Sequence, residues 1–162
     1  MQLFRRCKVF AAAALTGCSL LDEPELMELS VIASISPFEL SLGDTARVTI
    51  DILNVSNQTI SVSSGGCNND FVIQSGTGAT YVPAELVVCS LELRAPTVLV
   101  PGGTHRLVEF TTGRVIPQGS QAAPAMLQPD TYGVRAVVGM IRGNNAAVEV
   151  RSQPAGLTFL AR

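Results

Sequence analysis

Ala46-Arg47-Val48-Thr49-Ile50-Asp51-Ile52 alternates apolar and polar residues without a break. A strand with this pattern buries Ala46, Val48, Ile50 and Ile52 on one face and turns Arg47, Thr49 and Asp51 to the other. Upstream, Leu29, Val31, Ala33 and Ile35 alternate with Ser30, Ser34 and Ser36, and Gly43-Asp44 supplies a turn between the two runs. Downstream, Asn54 to Asn57 supplies the next turn before Ile60 and Val62 resume the period. Further candidate strands are Phe71 to Gln74, Thr80 to Val82, Leu86 to Leu93, Thr97 to Val100 and Arg106 to Thr111. Tyr132, Val134, Ala136 and Val138 share one face of a long strand, which a hairpin turn at Gly143-Asn144-Asn145 returns through Ala146 to Arg151; Gly156 to Ala161 closes the series.

Many short strands at near-regular spacing, with frequent Gly and Asn turns and no convincing amphipathic helix, predict an all-β domain. The expected architecture is an antiparallel two-sheet β-sandwich, with a β-barrel as the alternative. Tyr132 follows Pro129-Asp130-Thr131 at the start of a strand. Sandwich domains often place a tyrosine there and tie its hydroxyl back to a neighbouring loop, although an ordinary core aromatic fits the same position.

The chain begins with a basic region, Arg5, Arg6 and Lys8, then an apolar stretch from Val9 to Leu15 that is too short to span a bilayer as a stable helix. That order is an export signal. The next residues, Leu15-Thr16-Gly17-Cys18, resemble the bacterial lipobox. The resemblance implies cleavage before Cys18 and acylation of its thiol and new amino group. The alternative is an ordinary secretory signal cut after one of Ala11 to Ala14. The lipobox reading divides the chain into a signal peptide (1–17), a lipidated cysteine with an acidic tether (18–28) and one folded domain (29–162). Two or more acyl chains give lasting membrane attachment. Ser19, at a position where a family sorting rule of some Gram-negative bacteria reads aspartate as inner-membrane retention, points to the outer membrane.

Signal removal leaves 8 of the 11 basic residues against 13 acidic ones, a formal net charge of −5. With no basic stripe, nucleic acid is not an expected partner. Cys7 leaves with the signal and Cys18 is the lipid acceptor, so Cys67 and Cys89 remain as a pair in an exported domain. That count predicts a disulfide, with two buried free thiols as the alternative.

The series Val48 to Leu53, Asn54-Val55-Ser56-Asn57, Asp70 to Ile73, Gly78, Leu99-Val100-Pro101-Gly102 and Leu127 to Val134 resembles bacterial immunoglobulin-like modules, including the Bacillus intracellular proteinase inhibitor domain. The resemblance covers roughly Leu42 to Val138. It implies an immunoglobulin-like sandwich, and proteinase inhibition is an activity of the namesake. The chain departs from the pattern in having Pro129-Asp130-Thr131-Tyr132 where the second turn carries glycine, and in lacking tryptophan.

No catalytic constellation is visible. His105 is the only histidine, and no G-x-S-x-G elbow supplies an activated serine. Gly76-Thr77-Gly78 lacks the rest of a phosphate loop and reads as a hairpin turn. Met27, Met126 and Met140 are too widely spaced for a soft-metal site and read as packing. Cys67-Asn68-Asn69-Asp70 carries only a fragment of a calcium loop. Neither metal nor cofactor is expected. The remaining candidate is the segment Gly113 to Gln128, rich in Pro, Gln, Ala and Gly, with Arg114, Val115, Ile116 and Gln118 as candidate contact residues. A second exposed loop is expected around Gly76 to Pro83. The expectation is a non-enzymatic, membrane-anchored envelope module that binds an envelope or extracellular protein or ligand. The alternative is a proteinase inhibitor acting through an exposed loop.

Overall fold

Residues 28–63, 70–84, 96–141 and 147–161 are described by a computed structural model, and every regular element among them is a strand. In chain order these are β1 (Leu29–Ser36), β2 (Glu39–Leu40), β3 (Ala46–Asn54), β4 (Ile60–Ser63), β5 (Phe71–Ser75), β6 (Thr80–Pro83) and β7 (Thr97–Leu99). They continue as β8 (Thr104–Thr111), β9 (Arg114–Pro117), β10 (Ala125–Met126), β11 (Asp130–Ile141), β12 (Ala147–Arg151) and β13 (Ala155–Phe159). The expected export signal (1–17), Cys18, Met27, Cys67, Cys89, the candidate strand Leu86 to Leu93 and the expected turn at Gly143-Asn144-Asn145 lie outside the described residues.

The alternating run is β3, the centre of a three-stranded antiparallel sheet ordered β1-β3-β8. Its register sets Ile32 opposite Asp51 and Asp51 opposite Arg106 on one face, and Ala33, Ile50 and Leu107 together on the other. Val48, Ile50 and Ile52 are buried as their period requires.

The second arrangement is built on β11. One flank of this strand pairs with β5 and then β4, and the other with β13 and then β12. Beyond β5 the order continues through β6 and β9 to β10, and β4 also pairs with β7. Where β12 gives way to β13, Ser152 bridges the break: its backbone N–H donates to the Ala136 carbonyl (3.1 Å), and its Oγ accepts from the Ala136 N–H (2.9 Å). The hydroxyl thus keeps a central-strand donor satisfied where the ladder is interrupted.

The pairing is antiparallel throughout the described strands except at β2, which pairs parallel with β13. This corrects the expectation of an entirely antiparallel sheet. After β1 the chain does not reverse. It continues past Pro37 into the second sheet in the same sense and so meets β13 running the same way. Gly43 therefore turns the chain from β2, not from β1, into β3.

Both sheets feed one core. Leu29, Val31, Val48, Ile50 and Ile52 join Ile73, Val134, Ala136, Val138 and Leu157 in a single buried cluster, with β1 lying against β11 and β13. Met140 is buried in it and Met126 packs at its margin, so both methionines serve packing.

Candidate functional site

Strand direction defines two ends. β1 and β3 run in opposite senses between Leu29 paired with Asn54 and Ser36 paired with Arg47. The described chain begins at the first of these, where the Val55 N–H donates to the Glu28 carbonyl (3.0 Å). Asn54, fully buried, organises this Glu28 end. Its Nδ2 donates to the carbonyls of Gln58 (2.7 Å) and Leu99 (2.9 Å), and its Oδ1 accepts from the Ser56 N–H (3.0 Å) and Oγ (2.8 Å). Backbone bonds from Asn54 N–H to the Gly103 carbonyl and from Gly102 N–H to the Asn54 carbonyl complete the lock. Gly102, at φ +72°, gives the 101–103 turn the left-handed residue it needs.

The far end gathers the two loop regions marked in the sequence. The 76–79 turn closes the β5–β6 hairpin, with the Ser75 N–H donating to the Ala79 carbonyl (2.9 Å). Residues 113–128 are not a long irregular loop. β9 pairs with β6 on one side and β10 on the other, so the segment is a hairpin added to the sheet. The Gln118 N–H donates to the Thr80 carbonyl (2.9 Å), bringing the hairpin tip beside the 76–79 turn. Within the tip, the Ser120 N–H donates to the Pro117 carbonyl (3.0 Å) and the Ala122 N–H to Ser120 Oγ (3.0 Å).

Strand formation changes the standing of the four candidate contact residues. Val115 is buried in the core and Ile116 is half-buried, because β9 alternates like any strand; Arg114 and Gln118 are exposed. Val115 is therefore a packing residue. Residues 117–125 form the accessible tip. Its base is fixed at Gly113, whose N–H donates to Thr111 Oγ1 (3.1 Å) and whose carbonyl accepts from the Leu127 N–H (2.9 Å). At φ +78°, a Cβ on Gly113 would stand 2.6 Å from the Phe159 ring.

Tyr132 secures the other side of the hairpin. Its hydroxyl donates to the Gln128 carbonyl (2.8 Å), and its ring meets Tyr81 edge-on at 6.5 Å. Burial pushes the phenol pKa up, and Asp130 adds to the shift. The loop tie expected of this tyrosine is present.

Four large apolar side chains that sequence reading did not single out are exposed at the same end: Phe38, Leu42, Phe110 and Leu160. They stand on the segments that meet there, around the β2–β13 pairing and the last residues of β8. Arg47, opposite Phe110, and Glu39 and Asp44 add charge.

Elsewhere, Arg106 holds Asp51 through two hydrogen bonds of 2.6 and 3.0 Å on the outer face of the small sheet. That contact draws the Asp51 carboxyl below its ordinary range. His105 is half-buried opposite Ile52. Among the described residues no group of three or more His, Cys, Asp or Glu is placed to hold a metal ion, and no helix is long and apolar enough to cross a membrane.

No family model and no curated protein matches the chain. Solved structures do resemble it. The structural-genomics target SoR45 aligns with a TM-score of 0.50 at 14% identity, over 82% of this chain and 87% of that one. The alkylpurine DNA glycosylase AlkC of Pseudomonas fluorescens aligns at 0.47 and 16% identity, over 83% of this chain. This chain spans 31% of the AlkC chain. A CARDB domain of Pyrococcus furiosus aligns at 0.40 and 14% identity, over 82% and 87%. The SoR45 likeness bears on the fold alone, and the two weaker ones carry neither fold nor chemistry further.

Proposed function

We propose that this chain is an exported, membrane-anchored envelope lipoprotein whose immunoglobulin-like β-sandwich is a non-enzymatic binding module. The observation that carries the binding reading is the convergence, at the end opposite Glu28, of the 76–79 turn, the 117–125 tip and the exposed Phe38, Leu42, Phe110 and Leu160. Aromatic and aliphatic anchors beside Glu39, Asp44, Arg47 and Arg114 are the composition of a protein-binding patch. The sandwich reading is supported by the shared core of the two sheets, by the passage of the first strand pair from one sheet to the other, and by the Tyr132 tie at the start of β11. An anchor at Cys18 would leave the far end facing away from the membrane, where an envelope or extracellular protein can reach it.

Photocrosslinking in cells that produce the acylated chain tests this reading. A benzoylphenylalanine at Gln118 and one at Phe38 should give the same adduct, and one at Thr49, on the outer face of the small sheet, should give none. Equal labelling at all three positions, or none at any, contradicts it.

A second reading, proteinase inhibition through the 117–125 tip, is favoured by the internal hydrogen bonds that hold the tip in one shape. A pre-shaped loop loses little freedom on entering a protease cleft. Titration against serine, cysteine and metalloproteinases should then abolish one activity at near-equal concentrations. Cleavage of the tip without inhibition contradicts this second reading.

A further inference from the structure

At the Glu28 end four aliphatic side chains face solvent: Leu53 is 37% exposed, Val55 49%, Val98 62% and Val100 59%. The segments that carry them are tied to the place where the described chain begins. Val55 donates its N–H to the Glu28 carbonyl, Gly102 bonds Asn54, and Gly103 bonds Val100 (2.8 Å). The two segments that carry them, 52–63 and 96–105, contain no Asp, Glu, Lys or Arg. Charge near them comes from other segments: Glu28 itself, and the Asp51–Arg106 pair on the outer face that Leu53 shares. Two segments that expose aliphatic side chains and carry no charge of their own offer an interaction surface.

What covers it follows from the chain outside the structure. Cys18 lies ten residues before Glu28. That span reaches at most about 35 Å when fully extended. Acyl chains on Cys18 hold the other end of the span in the bilayer. The Glu28 end is therefore held within that distance of the lipid.

We propose that Leu53, Val55, Val98 and Val100 form a lipid-contact patch on which the anchored domain rests against its own membrane. The inference depends on the anchored reading above. Aliphatic side chains entering the boundary between headgroups and acyl chains lose water contact without carrying a charge into it. The four side chains carry no charge of their own, but Glu28 at their base and the acidic residues before it are repelled by anionic headgroups over a Debye length of about 8 Å at physiological salt. Docking should therefore weaken on anionic lipid, most at low salt, and respond strongly to a charge placed in the patch.

The chain contains no tryptophan, so one introduced residue is a unique fluorophore. Acylated full-length protein carrying Val100→Trp, Val98→Trp or, at the far end, Leu42→Trp is inserted into phosphatidylcholine vesicles with and without brominated acyl chains. Intact mass first establishes acylation at Cys18. The Val100→Trp and Val98→Trp proteins should then lose most of their emission to the brominated lipid and shift to the blue, and the Leu42→Trp protein should do neither. Adding Val55→Asp to Val100→Trp should restore its emission, with far-UV circular dichroism unchanged. Part-replacement with phosphatidylglycerol should weaken the quenching at low salt and do so less at physiological salt. An acylated chain quenched equally at both ends, or at neither, overturns the docking patch and leaves the anchor standing. An unacylated chain overturns both.

Discussion

Asn54 is a short polar side chain with no exposure, and it survives in the core because each of its hydrogen-bonding groups is used. It joins the end of β3 to the 55–58 turn and to β7, so one residue fixes how both sheets meet at the Glu28 end. Asn54→Ala leaves the Leu99 carbonyl buried without its donor and should cost about 3 kcal/mol, on the order of 10 °C in Tm, by thermal or urea unfolding. Asp51 shows the opposite regime. Its carboxyl is held below the ordinary value of 3.8 by the hydrogen bond from Arg106, which outweighs the opposing desolvation, with direct charge attraction a smaller addition. A lowered folded pKa contributes stability that is present above the ordinary value and disappears as pH falls through the folded one. The pair is exposed, so the contribution is small. In parallel urea titrations, Asp51→Asn should be slightly less stable than the parent at pH 6, and the difference should vanish at a pH well below 3.8.

At the scale of the element, the two-residue strand β2 closes the second sheet. Leu40 is fully buried, and the backbone receives N–H bonds from Thr158 at Phe38 (2.7 Å) and from Leu160 at Leu40 (2.9 Å). Leu40→Ala should cost about 3 kcal/mol. It should also speed amide exchange at Thr158 and Leu160 well before it affects Val134 in β11. Similar exchange at all three amides would mean that β2 does not act as a separate clamp. This element was invisible in the sequence because Glu39-Leu40 is too short to display a period. β3 and β11 were legible for the reverse reason: each buries one continuous face, and the alternation repeats long enough to be read. The 113–128 hairpin fell between these cases. Its Pro, Gln, Ala and Gly content reads as loop, and the pairing of β9 with β6 that makes it a strand is set by residues far away in the chain.

At the scale of the whole molecule, the two ends carry different chemistry, and only part of that division could be read in advance. The 76–79 turn was evident from its residues, whereas the position of Tyr132 fitted a loop tie and an ordinary core aromatic alike. The exposed aromatics were not. In β8, His105, Leu107 and Glu109 alternate with Arg106, Val108 and Phe110, so both faces mix apolar and polar residues and neither declares itself outward. Phe38 sits beside a sheet crossing that no local pattern encodes. Charge was more legible, since the uncharged stretches 52–63 and 96–105 are contiguous in sequence, but their meeting at the Glu28 end depends on the Asn54 lock. That end facing lipid and the other facing a partner both depend on an anchor at Cys18. The intact mass of the protein extracted from its native membrane, before and after reduction, tests this most directly. We expect a chain beginning at Cys18 with acyl chains attached, heavier by about two protons after reduction as a Cys67–Cys89 disulfide opens, a bridge worth roughly 3 kcal/mol to the fold. A chain that retains residues before Cys18 and carries no lipid would contradict the anchored account.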